Sequence, residues 1–283
     1  MFDYDATRVC KACSNVFKGR YCHICGEKVT EPDERSVLNF FDNLLNAFTF
    51  LDGKFLRSLK LLITRPGQLS RNIADGQRVP YMKMVSLFFV ANFFYFLFPV
   101  FDSYNSSLYT QMNLQGHSEN AREMVKEKLE REKLDMKDFQ RDYETQSTNL
   151  SKLLIVLLVF AFTGFLVVIN YRKDNYFFDH LLFSFEFFSF LLLINSVLLP
   201  NIFRQVIRLG KAGGMDWSVL LSDQFFSMIT ALTLIYFLVR GQLLFYRLKW
   251  FWAIPKAIAL IYLLWQSVDL YRMLLFYLTM WWM

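Results

Sequence analysis

The chain has 283 residues, of which 54% are hydrophobic and 20% charged, with 32 phenylalanines and a formal net charge of +6. Soluble domains carry about 45–50% apolar and about 25% charged residues. Here the apolar residues are gathered into long uncharged runs instead of amphipathic stripes, which excludes an ordinary water-soluble globule. The positive balance suits the cytoplasmic ends of membrane spans better than a nucleic-acid surface. The lipid bilayer is therefore the expected partner, and no specific nucleic acid is expected.

Residues 1–30 read as a small separate module. Met1 to Arg8 is polar and acidic, unlike a cleavable signal. All four cysteines follow in CKACSNVFKGRYCHICGEK, spaced Cys10-x2-Cys13-x8-Cys22-x2-Cys25. Their clustering points to metal and a reducing compartment rather than disulfides. Each Cys-x-x-Cys pair makes a tight turn that aims two sulfurs at one point. Two such turns build a tetrahedral thiolate shell of the kind structural Zn2+ takes with ~2.3 Å bonds. Gly26 eases the second turn. His23, between the paired cysteines, reads as a bystander. A closed shell has no open position for hydrolysis. A redox dithiol and an iron–sulfur centre are the rival readings.

Residues 31–83 are mixed in polarity. SVLNFFDNLLNAF, from Ser36, spaces Leu38, Phe41, Leu45 and Phe48 as a helix would. Asp52 is placed to cap a second helix, in which Phe55, Leu59 and Leu62 face one way and Lys54, Arg57 and Lys60 others. These two helices either lie on a membrane surface or pack on the ends of the spans. Arg65-Pro66-Gly67 breaks the second, and Arg71, Arg78 and Lys83 lead into the first apolar run.

Residues 84–283 read as the membrane region, with about five transmembrane helices. The expected spans are 84–101, 153–170, 177–199, 217–239 and a last stretch from Trp250. At ~1.5 Å per residue that stretch is ~48 Å long, against a ~30 Å hydrocarbon core. It is either one tilted helix or a span with an interfacial tail, with tryptophans at both ends as interfacial belts. Residues 102–150 form a charged, helical extracytoplasmic loop, in which Ala121, Val125, Leu129, Met136 and Phe139 mark a weak stripe. The stripe suits a surface helix or helical hairpin and is too short for a coiled coil. Arg71, Arg78 and Lys83 precede the first span and no basic residue follows it until Arg122, so the N-terminus is expected in the cytoplasm. The Arg172/Lys173 and Arg240/Arg247/Lys249 links then fall inside, while Arg204, Arg208 and Lys211 fall outside, against the bias.

Ionisable groups within a bilayer cost about 2.5–3.5 kcal/mol at a helix centre on insertion scales. Glu186 is the foremost of them. With His180 and Asp179 it is a candidate intramembrane polar site, suited to a proton relay or a cation. The blander alternative is a protonated glutamate bonded to a neighbouring helix. Asp269 and Arg272, at i and i+3, are a candidate intrahelical ion pair. Asn92 and Asn195 suit interhelical contacts, and Lys256 can snorkel. No nucleophile elbow, phosphate loop or HExxH helix is present, so no catalytic residue is assigned and an enzyme is the least expected reading.

Three stretches resemble a family of bacterial membrane proteins known as domain of unknown function 3667. They are the knuckle with its Gly-Arg-Tyr-Cys and Cys-Gly-Glu-Lys text, FTFLDGKFLRSLKLLITRPGQLSRNIADGQRVPY, and FDHLLFSFEFFSFLLL. The second is similar to the family's Arg-Pro-Gly and Gly-x-Arg-x-x-Tyr elements. In the third, His180 matches, while Glu186 and Phe188 stand where the family tends to place histidines. The resemblance implies a multi-pass protein of a bacterial inner membrane and no substrate. The leading expectation is an all-α polytopic membrane protein whose zinc ribbon docks a cytoplasmic protein partner. The alternative is a transporter or proton-coupled channel using Glu186 and His180, and third comes a membrane-embedded enzyme. Oligomeric state is not indicated.

Overall fold

The computed structural model describes residues 5–10, 13–25, 53–98, 104–171, 176–212 and 222–283. The helix expected from Ser36, the Asp52 cap and the Arg172/Lys173 link lie outside them. The chain divides into two units, Met1–Gly53 and Lys54–Met283.

In the first unit, strands β1 (Thr7–Val9) and β2 (Val16–Lys18) pair antiparallel, with Arg8 opposite Phe17. Ser14 and Gly19 take positive φ of 60° and 95° at the turns. The left-handed region is open to glycine and rare for other residues. Phe17 packs on Cys10 and Cys22 to give this hairpin its small core.

Every secondary-structure element described in the second unit is a helix. α1 (Gly53–Thr64) and α2 (Gln68–Ala74) flank the Arg65-Pro66-Gly67 turn, and α3 is Met84–Leu97. α4 (Leu108–Asn113) and α5 (Ser118–Glu132) follow, then the 34-residue α6 (Met136–Ile169). α7 (Phe177–Phe190) continues through a π-helical stretch, Leu191–Leu198, into α8 (Leu199–Ala212). α9 (Asp223–Leu244) and α10 (Trp250–Trp282) complete the bundle. The widened stretch has a local cause. Pro200 has no N–H for the Ser196 carbonyl and its ring crowds that oxygen, and i→i+5 bonding relieves both.

Four helices among the described residues are long and apolar enough to cross a membrane: Met136–Ile169, Phe177–Lys211, Gln224–Leu244 and Trp250–Trp282. The protein is thus a multi-pass, all-α membrane protein. Of the first expected span, 84–101, residues 99–101 lie outside the described residues, and the described helix covers the 14 residues Met84–Leu97. That is about 21 Å of helix against a hydrocarbon core of about 30 Å. The Phe177–Lys211 helix is the inner one, with 89% of its most apolar window buried, against 33% for α6 and 22% each for α9 and α10. Outer helices expose Leu153, Phe160, Val168, Leu232 and Trp265, as lipid-facing surfaces do.

At one end of the bundle meet the α1–α2 turn, the start of α7 and the end of α9. Arg71 Nη1 donates to the Phe245 carbonyl at 3.1 Å, and Tyr236 Oη donates to the Ile63 carbonyl at 3.1 Å. At the opposite end, α4 and α5 pack on the first turns of α6 and the last of α10. Val125, Phe139, Tyr143, Phe276 and Met280 form a second core there. Lys133 turns left-handed at the C-cap of α5 and Asp135 caps α6, so 118–150 is a helical hairpin whose second arm runs on into the bilayer. Of the sequence stripe, Ala121, Val125 and Phe139 are buried, and Met136 is exposed. The last stretch is one continuous helix, and its far turns are covered by α5 and α6. Its tryptophan pairs stand about 44–48 Å apart along the axis, close to the ~40–45 Å of a whole bilayer with its headgroup regions.

Two backbones approach closely at Gly67 and Gly241. A Cβ on Gly67 would stand 2.9 Å from Gly241 Cα, and Gly67 holds φ +84°. A left-handed alanine costs about 1–2 kcal/mol and overpacking a further ~1–3 kcal/mol. Gly67→Ala is therefore expected to lower the thermal midpoint in detergent by several degrees, read by tryptophan fluorescence. Gly76→Ala, at φ +95° with nothing within 4 Å, separates the two effects, since it carries only the backbone penalty.

Candidate functional site

The four cysteine sulfurs converge. Cys10 Sγ lies 3.4 Å from Cys25 Sγ and Cys13 Sγ 3.6 Å from Cys22 Sγ, and all four are within 4.8 Å of one another. Four sulfurs at ~2.3 Å from a central ion stand about 3.8 Å apart, so the cluster has the size of a tetrahedral metal site. Cys10 and Cys22 are buried, and Cys13 and Cys25 are exposed. Backbone N–H groups of Cys25 and Ile24 reach the Cys22 sulfur and hold its thiol down at about 6. They favour the thiolate that a metal binds. His23 is outside the cluster, with Nε2 3.4 Å from Asn15 Nδ2.

The second constellation is built around Glu186. It is fully buried on α7. α2 begins with Gly67 as N-cap, and glycine has no side chain to accept from the first turn. Four N–H groups at a helix start lack intrahelical acceptors, and a carboxyl group from elsewhere in the chain takes their place. Glu186 Oε1 accepts from Gly67 N at 2.8 Å and Oε2 from Ser70 N at 2.8 Å. Ser70 Oγ, itself buried, also donates to Oε2. The N-terminal end of the helix dipole points the same way. Both oxygens of Glu186 are engaged by this one turn.

His180 and Asp179 have other partners. His180 Nδ1 is 2.8 Å from Tyr246 Oη in a buried, stacked pair. Asp179 Oδ2 accepts from Tyr176 N at 3.0 Å and caps α7. Among the described residues, no hydrogen bond or ion pair joins His180 or Asp179 to Glu186. Lys256 reaches the end of α6, where Nζ donates to the Ile169 carbonyl at 2.8 Å and to Asn170 Oδ1 at 3.1 Å. A cation is favourable at a helix C-terminus. Asn92 Nδ2 donates to the Lys152 carbonyl at 2.9 Å, and Asn195 Oδ1 accepts from Thr233 Oγ1 at 2.8 Å. Both join helices. Arg272 Nη1 lies 4.0 Å from Asp269 Oδ1 within α10.

Sequence reasoning singled out Glu186 and the Arg-Pro-Gly turn separately and did not join them. Their link spans 116 to 119 residues. The signal was present in outline, as a helix start without a capping side chain and a carboxyl group in an apolar run without an assigned partner.

Residues 52–96 match the family model described as Protein of unknown function (DUF3667). The resemblance read from the sequence is borne out over this stretch, which holds α1, the Arg-Pro-Gly turn, α2 and most of α3. No curated protein and no solved structure matches the chain.

An unsatisfied buried donor costs about 1–3 kcal/mol. Glu186→Ala strands Gly67 N, Ser70 N and Ser70 Oγ together and is expected to destabilise the bundle by at least ~3 kcal/mol, measured by unfolding in mixed micelles. Glu186→Gln keeps one acceptor oxygen and should fall between Glu186→Ala and the parent. Equal stability for the parent and Glu186→Ala would refute the capping role.

Proposed function

We propose that this is a bacterial inner-membrane protein with its N-terminus in the cytoplasm, whose zinc-loaded knuckle docks a cytoplasmic protein and whose helical bundle is the anchor. The observation that carries this is the hairpin. It gathers four sulfurs into one cluster and leaves Val9, Val16, Tyr21 and Ile24 all more than half exposed. A closed four-sulfur shell offers no place for a reactant, so the metal stiffens a surface. Zinc suits four soft ligands in a tetrahedron. Exposed apolar groups on so small a rigid module suit a protein interface.

The orientation rests on lysine and arginine. Arg65, Arg71, Arg78, Lys83, Arg247 and Lys249 lie in the segments at one end of the bundle, the end expected in the cytoplasm. The transporter reading has weaker support, because it needs Glu186 to exchange a proton or cation. Both carboxyl oxygens are already held by Gly67 and Ser70.

Protein purified with its membrane in mild detergent is expected to carry one zinc per chain. Cys10→Ser/Cys13→Ser should lose the metal and a co-purifying protein while the bundle's thermal midpoint stays unchanged. Val16→Asp/Ile24→Asp should lose the partner and keep the zinc. Retention of the partner by both variants would overturn the docking role. Abolition of a measured ion flux by Glu186→Gln, at unchanged folding, would favour transport instead.

A further inference from the structure

A groove of about 480 Å³ opens where α3 and α7 begin. Its floor is Ile73, Met84, Leu182 and Phe185, all buried, and the groove also takes in the exposed Arg78 and Lys83. Among the described residues, no hydrogen bond or ion pair engages either cationic head, and no carboxylate lines the groove. Among the described residues, the two carboxylates of the adjoining segments are occupied elsewhere. Asp75 pairs with Arg71 at 3.0 Å, and Asp179 caps α7.

We infer that this groove binds one anionic phospholipid, with an acyl chain along the apolar floor and the phosphate between Arg78 and Lys83. Charge complementarity selects this occupant. The described lining has two cations, no anion and an otherwise almost wholly apolar surface, which is the chemistry of a lipid phosphate joined to a hydrocarbon chain. Position agrees with it. Lys83 immediately precedes the first turn of α3 and Phe178 lies in the first turn of α7, so the cations stand at helix starts, where headgroups meet the spans. A soluble anion would have no use for the floor, and a neutral lipid none for the cation pair. The site is independent of the cysteine module, and its failure would leave the docking proposal untouched.

The test is titration of the detergent-purified full chain with dioleoyl phosphatidylglycerol or dioleoyl phosphatidylcholine, counting bound lipid by native mass spectrometry. The parent is expected to hold one phosphatidylglycerol at least about tenfold more tightly than phosphatidylcholine. Each basic residue near a membrane surface contributes roughly equally to such binding, so Arg78→Ala/Lys83→Ala should weaken phosphatidylglycerol about 10- to 30-fold. Arg78→Gln/Lys83→Gln replaces it should the alanine pair melt early. Val85→Trp, on the exposed rim, should reduce occupancy with the charge unchanged. Lys54→Ala/Lys60→Ala removes two exposed cations outside the groove and should leave binding as in the parent. Equal binding of the two lipids, parent-like binding by the Arg78/Lys83 variants, or equal loss in the Lys54/Lys60 control would each overturn the site.

Discussion

The bundle is organised around a carboxyl group inserted into the start of a short helix. Glu186 is fully buried in the bundle, and α2 has no side chain of its own to cap its first turn. Each defect is the remedy for the other. A buried polar group is costly when alone and tolerated when all its hydrogen-bonding capacity is used. Satisfying it here draws the Arg-Pro-Gly turn against the innermost helix. The same approach forces Gly67 onto Gly241, so the absence of two side chains is as much a part of the contact as the presence of one.

Around that contact, helix termini are repeatedly closed by groups from other helices. Lys256 serves the end of α6, and Tyr236 serves the end of α1. In lipid, an unpaired carbonyl or N–H has no solvent to turn to, so partners must come from the protein. The apolar faces outside these contacts need no such matching, which is why the outer helices expose large aliphatic and aromatic side chains freely. At the far end of the bundle the solvent changes. There α6 and α10 outrun the hydrocarbon and are packed by α4 and α5 around Phe139, Tyr143 and Phe276 as an ordinary aqueous core would be.

Much of this was legible in the residues. The four-cysteine spacing led directly to converging sulfurs, because two tight turns and a hairpin are local geometry. Runs of leucine and phenylalanine located four long apolar helices, since length and composition suffice for that. The weak stripe from Ala121 to Phe139 resolved into two helices joined at Lys133. Boundaries fared worse. The first apolar helix closes at Leu97 with Phe98 as its C-cap, and the π-helical stretch before Pro200 has no pattern in hydropathy. Long-range pairing was out of reach. The partners of Glu186 and His180 lie 66 to 119 residues away, and a single chain read in order has no coordinate that brings them together.

The order of those partners along the chain bears on how the protein enters its membrane. Ribosomes release the N-terminal portion first, so Gly67 and Ser70 exist well over a hundred residues before Glu186 emerges. When the third long apolar run emerges with an acidic group at its middle, its hydrogen-bond donors have already been synthesised. A chain with the same helices in the reverse sequence would have to park a naked carboxyl group in hydrocarbon until its caps were made. Vectorial synthesis thus puts the donors ahead of the acceptor that needs them.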